Sequence, residues 1–146
     1  MIMKVNSYDL DNIEDSELKF AVIVAKHSGK WIFVRHKERT TWEIPGGHKE
    51  EQEDINNTAL RELVEETGAK EFKLYSVCTY SVDRDGIESF GKLFYAEVET
   101  LGKLPNLEIG EVRLFDEIPV NQTYPLIQPF IFERISKFLG DTMHKK

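Results

Sequence analysis

Cysteine is nearly missing from this 146-residue chain: Cys78 is the single example, so no intramolecular disulfide can form. A lone thiol suits a reducing compartment, and a cytoplasmic location is expected. Cys78 lies in the strand-like stretch 72–80 and reads as a small buried residue. Long apolar runs are absent too: none approaches the roughly 20 residues a membrane helix needs, so no membrane partner is expected. The opening MIMKVNSYDLDNIEDSE lacks the basic-then-apolar pattern of a secretion signal. There is no internal repeat, low-complexity tract or linker. With 40% hydrophobic and 11% aromatic residues the chain is not disordered, and one domain over 1–146 is expected, with 140–146 as a frayed tail. Bases are in deficit, leaving a net charge of −7. Most of that excess sits in segment 47–71, which holds eight acids against three bases. Such a field repels polyphosphate unless a metal neutralises it, and it argues against binding polymeric nucleic acid.

What is present is concentrated in one stretch, GHKEEQEDINNTALRELVEETGA, from Gly47 to Ala69. Glu62, Glu65 and Glu66 have i, i+3, i+4 spacing and share an arc of roughly 100° on one helical face. Leu60, Leu63, Val64 and Thr67 fall on the other side, so a helix with one buried and one acidic face is expected. Crowded carboxylates repel one another unless a positive charge joins them, and a hard divalent cation such as Mg²⁺ prefers oxygen ligands. The plain alternative is a solvated acidic face.

The stretch resembles the signature of the Nudix hydrolases, Gly-x5-Glu-x7-Arg-Glu-U-x-Glu-Glu-x-Gly-U, where U is a bulky aliphatic residue. Gly47, Glu53, Arg61, Glu62, Leu63, Glu65, Glu66 and Gly68 match it, and Ala69 stands small at the final aliphatic position. Many members carry Gly before the first glutamate; Gln52 stands there here, so a turn of different shape is expected. The preceding Trp42–Gly47, WEIPGG, is similar to the MutT-like branch.

The resemblance implies an α/β/α sandwich with a mixed central sheet. It also implies Mg²⁺-dependent hydrolysis of a phosphoanhydride by water attack, with Mn²⁺ as a substitute ion. Glu62, Glu65 and Glu66 correspond to metal-ligating carboxylates, the Gly47 carbonyl to a backbone ligand, and Glu53 to a supporting carboxylate. Arg61 reads as an anchor able to reach Glu65 or bend toward Glu53. Several branches take their general base from a glutamate outside the signature. Glu111, and behind it Glu108, are the candidates, with loop solvation as the alternative for both. The implied partner is a small nucleotide: a triphosphate of 8-oxo-dGTP type, or else ADP-ribose, a nucleotide sugar, a dinucleoside polyphosphate or an RNA 5′ end. A nucleotide sensor without turnover is the reading from another class, and a homodimer is a further implication. Isoprenyl diphosphate isomerisation on the same fold would need an activated cysteine, which the strand-like context of Cys78 does not offer.

Outside the signature, Arg35, His36, Lys37 and Arg39 form the densest basic cluster. Arg35 and Arg39 are candidates for a phosphate tail, against the alternative of an exposed arm balancing the acids. Trp42, Phe33, Tyr80 and Phe90 could stack on a base, although aromatics are more often core. Asn121 could pair with a base edge, although Asn more often serves turns.

Residues 20–25 and 31–35 predict a hairpin, and 41–44 a short strand entering Pro45-Gly46-Gly47. Asp54 is placed to cap a helix that Gly68 stops. Further strands are expected at 72–80, 92–98 and 112–115, with a turn at 83–86, and a closing helix at 127–139 with Pro129 in its first turn.

Overall fold

The computed structural model describes residues 3–10 and 12–144, with side chains to residue 140. Seven strands and two helices follow one another: β1 (Met3–Tyr8), β2 (Leu18–His27), β3 (Lys30–His36), β4 (Gly46–His48), α1 (Ile55–Thr67), β5 (Ala69–Arg84), β6 (Ile87–Leu101), β7 (Ile109–Phe115) and α2 (Gln128–His144). The sheet order is β1-β5-β6-β2-β3-β7, with β4 pairing β2 as well. β2 and β6 run parallel and the other pairs antiparallel, so the sheet is mixed.

Side chains of the central strands alternate between two cores, as a period of two requires. Ala21, Ile23 and Ala25 of β2 and Phe94, Ala96 and Val98 of β6 meet Ile55, Ala59 and Leu63 of α1. Val24, Leu93 and Tyr95 turn the other way, onto Ile131, Phe132 and Ile135 of α2. The result is an α/β/α sandwich, as expected. A fully buried side chain such as Leu63 contributes about 2 kcal/mol.

α1 begins and ends as the sequence suggests. Asp54 accepts from the Asn57 amide at 2.8 Å, Asp15 accepts from the Ile55 amide at 3.1 Å, and Gly68 closes the helix at φ 76° with its N–H on Val64 O. Its faces differ from expectation. Leu60 and Val64 are 39% and 40% exposed, while Glu66 is buried among Ile55, Ala59 and Leu63. The acids therefore lie on the rim of the packed face rather than opposite it, and look toward the sheet.

Three segments also depart from the sequence reading. Residues 41–44 form no strand; Trp42 and Glu43 make isolated bridges, and the strand is Gly46–His48. The polar opening supplies β1, which pairs along β5. The closing helix continues through the expected tail to His144, while Lys145 and Lys146 lie outside the described residues. The 83–86 turn is present: Asp85 and Gly86 both have positive φ, as a two-residue hairpin turn requires.

One arrangement opens a space beside β2. The same edge of β2 pairs with β4 at Phe20–Val22 and with β3 at Lys26 and His27. β3 therefore splays away, and the 42–48 segment fills the gap, bridging first to Val34 through Glu43 and then to β2 through Gly46–His48.

Gln52 tests how backbone shape is held at the position where the signature often has Gly. It adopts φ 64°, the left-handed region, so the turn keeps a glycine-like shape at a strain of roughly 1 kcal/mol. Gln52→Gly should therefore leave thermal stability unchanged or raise it by up to about 1 kcal/mol, against the usual penalty for Gly. Gly68→Ala should lower it, because φ is +76° and the new Cβ would lie 2.9 Å from Gly102 O. Melting curves by circular dichroism decide both.

Candidate active site

The centre of the site is the guanidinium of Arg61. Its Nε and Nη2 take both oxygens of Glu53 at 2.8 and 2.9 Å, a paired geometry only Arg provides. Nη1 donates to Glu62 at 2.6 Å and Glu65 at 3.3 Å, and Nη2 also donates to His48 O at 3.1 Å. The two anchoring options for Arg61 are thus realised together. Glu53 also accepts from the Thr58 hydroxyl and the Glu50 amide. These donors, Arg61 first, hold its carboxyl down at about 2.

Glu66 is in the opposite situation. It is 5% exposed, accepts the Gly46 amide at 2.8 Å, and burial pushes its pKa up to about 8, helped by the charges of Glu62, Glu43 and Glu108. Burial also raises Glu62, against the pull of Arg61. Two glycines make this approach possible. A Cβ on Gly47 would fall 2.5 Å from the Glu62 carboxyl carbon, and one on Gly46 would meet Ala21 O at 2.5 Å.

Glu43, buried on the 42–48 segment beside β3, gathers two bases of the 35–39 cluster, His36 and the phosphate-tail candidate Arg39. His36 Nε2 lies 2.7 Å from one of its oxygens, and Arg39 Nη1 is 2.9 Å from the other. His36 also stands 3.7 Å from Glu66. A carboxylate at 43 was not anticipated, because in sequence Glu43 is one acid inside an apolar segment.

A cavity of about 1010 Å³ opens where β3 leaves β2. Glu62, Glu65, Glu66, Arg61, Gly47, Arg39 and Glu108 line it, and so do Phe20, Tyr80, Val82, Ile127, Gln128 and Ile131. Charged and apolar walls thus share one space. Other candidates are elsewhere. Trp42 is 9% exposed, packed edge-on to Phe115 with Arg113 over its ring, and does not reach the cavity. Phe33 is fully buried in the α2-side core, and Phe90 packs on Tyr8. Arg35 is spent on the carbonyls of His36 and Arg39 and on Glu111. Asn121 donates to Thr40 O, a loop-closing bond. Glu111 faces Arg35 at 3.6 Å and Arg113 at 2.7 Å, outside the cavity, because its register partner on β3 is Arg35. Its neighbour Glu108 is the carboxylate that lines the cavity.

The donor set bears on whether a metal fits. Glu62, Glu65 and Glu66 offer only hard oxygens, and burial without full compensation at Glu62 and Glu66 favours a cation. They do not converge as expected: among the described residues no three His, Cys, Asp or Glu side chains are grouped tightly enough to hold an ion. Arg61 draws Glu62 and Glu65 toward itself, and Glu66 is turned to Gly46. Glu65 is the loosest of the three, 39% exposed on its side chain and held at 3.3 Å. In donor chemistry, hard oxygens throughout, the three acids suit a divalent ion, while in this arrangement their carboxylates stand apart.

The chain is thus an α/β/α sandwich with a carboxylate-rimmed cleft where its sheet splits. The family profile of the NUDIX domain matches residues 15–133, and the chain belongs to that family. It is 33% identical over 116 residues to YtkD of Bacillus subtilis, provisionally named an 8-oxo-dGTP diphosphatase; the match covers 79% of this chain and 72% of YtkD. It is 37% identical over 81 residues to an ADP-ribose pyrophosphatase of the same organism, covering 53% of this chain and 44% of that one. The crystal structure of a mutant form of the Bacillus subtilis pyrophosphohydrolase BsRppH superposes with a TM-score of 0.77 at 25% identity, covering 91% of this chain and 90% of that one. Among the described residues no helix is long and apolar enough to cross a membrane.

The two glycines separate folding from chemistry. Gly46→Ala should lower stability by about 1–3 kcal/mol, since backbone must move. Gly47→Ala should cost less than about 1 kcal/mol, because only the Glu62 carboxylate has to swing, yet it should reduce hydrolysis sharply. Melting curves paired with turnover assays read out both. Acid should also act through Glu53. Its folded pKa lies below the ordinary 4.5, so its stabilisation is complete above that value and disappears as pH falls through about 2. In Glu53→Gln, that segment of the stability–pH curve should flatten.

Proposed function

We propose that this Nudix protein hydrolyses a phosphoanhydride of a small nucleotide, best a nucleoside triphosphate of the 8-oxo-dGTP type, to the monophosphate and pyrophosphate. The observation that carries the reading is the Arg61-organised acid cluster beside Gly46-Gly47 on a cavity large enough for a nucleotide. The match to YtkD, which extends over most of both chains, favours the triphosphate substrate.

Glu62, Glu65 and Glu66, with the Gly47 carbonyl, would hold Mg²⁺ or Mn²⁺. Such an ion, when bound, offsets phosphate charge and lowers the pKa of a bound water. The chain's own groups do the rest. Arg61 fixes the acids and keeps Glu53 ionised. Arg39, held by Glu43 at the cavity edge, offers a cation to the phosphate tail. Glu108 would take the proton from the attacking water; its position on the cavity wall and its charge bearing on Glu62 and Glu66 support that role.

Purified protein incubated with Mg²⁺ and a panel of 8-oxo-dGTP, ordinary nucleoside triphosphates, ADP-ribose and a dinucleoside polyphosphate tests the reading. Pyrophosphate release from triphosphates, abolished by chelator, is expected. Turnover of ADP-ribose alone would move the assignment to the second reading, which the partial match to the ADP-ribose pyrophosphatase supports. Glu65→Gln and Glu66→Gln should each lower kcat by orders of magnitude while the protein stays folded, and unchanged rates in both would remove the acid cluster from the chemistry. Glu108→Gln should slow turnover by at least about 10²-fold. Glu111→Gln should cost less than about tenfold, roughly 1.4 kcal/mol.

A further inference from the structure

On α2, Gln128, Ile131 and Ile135 follow one another at helical spacing, with exposures of 1%, 2% and 0%. They form the buried stripe of an amphipathic helix, where an aliphatic residue belongs at all three positions. Gln128 departs from that pattern. Neither its Nε2 nor its Oε1 has a hydrogen-bond partner in the protein, and the residue lines the same cavity as the acid cluster. Buried side-chain amides are nearly always paired, so two unspent ends on one side chain call for a reason. Arg134 Nε, the other unpartnered buried side-chain atom among the described residues, belongs to a residue off the cavity.

The surroundings narrow the reason. Tyr80 and Val82 of β5, Ile127 just ahead of α2 and Ile131 within it line the cavity with Gln128, so its amide sits amid apolar and aromatic surface. That is how a flat heterocycle is held: apolar walls supply area, and one planar polar group supplies orientation. A carboxamide presents a donor and an acceptor in one plane, and it pairs in two-point fashion with a base edge that offers an acceptor beside a donor. A phosphate would need donors only, and the charged wall already provides for it. The amide is covered by its neighbours, so pairing requires them to give way slightly.

We propose that Gln128 is the base-selecting residue of the cavity, pairing edge-on with the nucleobase while the phosphates extend toward α1. This rests on the nucleotide reading given above.

The test measures binding rather than turnover. Wild type, Gln128→Met and Gln128→Glu are titrated in Mg²⁺ with AMP, GMP, CMP, UMP and ribose 5-phosphate, and melting temperatures are recorded. Wild type should bind at least one nucleotide roughly tenfold more tightly than ribose 5-phosphate. Gln128→Met should shrink that preference by roughly tenfold, the worth of one two-point pair. Gln128→Glu should reorder the nucleotides, because a donor is lost. The melting temperature of Gln128→Met should not fall, since an unpaired buried amide is removed. A preference that survives in both variants, equal binding of ribose 5-phosphate to wild type, or a marked drop in melting temperature would each overturn the proposal. Base-selective binding without any pyrophosphate release would sink the hydrolase reading and leave Gln128 standing, whereas hydrolysis with selectivity intact in Gln128→Met would sink Gln128 alone.

Discussion

The fork of Arg61 on Glu53 is the constraint around which the site is built. Arg61 arises from the middle of α1 and Glu53 from just before its start, so the pair ties the helix to the loop that precedes it. Both side chains are partly buried, so solvent weakens the interaction less than at a fully exposed ion pair. With two of its nitrogens on Glu53, the guanidinium has Nη1 left for Glu62 and Glu65, and it spaces those acids against their mutual repulsion. One cation thus serves as both strut and counter-charge. Remove it and buried carboxylates are left without compensation, a change far costlier than loss of a surface pair.

The second element is the division of one edge of β2 between β3 and β4. An ordinary hairpin would have kept β3 beside β2 along its whole length and closed the sheet. Because Gly46–His48 takes the outer half of that edge, the backbone of the two glycines is pressed against α1 and β2 together. Sheet topology and carboxylate placement are thus the same fact seen from two sides. The unexpected partners His36 and Glu43 follow from it as well, since the inserted segment brings residue 43 beside β3.

Much of this was legible in the sequence, and the exceptions have physical causes. Asp54, Gly68 and the hairpin at 28–29 were readable because capping and turn chemistry are local. The acid trio was readable because helical spacing is local too. Its orientation was not: Leu60 and Val64 look like core on a helical wheel, yet the helix lies rotated so that Glu66 is under cover and they are out. What decided the rotation was the cleft between α1 and the glycine segment, a long-range feature. The same distinction sorts the site candidates. Arg61 and Glu53 are tied by a motif, whereas Arg35, Trp42, Asn121 and Glu111 were judged by residue type and nearness in sequence. Register then paired Arg35 with Glu111 and packing took Trp42 into the core. Glu108 and Glu111 differ by three positions, yet one meets the cavity and the other a pair of arginines.

The cleft is lined from both helices although α1 and α2 cover opposite faces of the sheet. Any molecule filling it would act as a rivet through the two layers, joining packing units that otherwise communicate only across the strands. Transient loosening of the C-terminal helix would then have to wait for the occupant to depart, so a ligand gripped chiefly by α1 would slow amide exchange in α2.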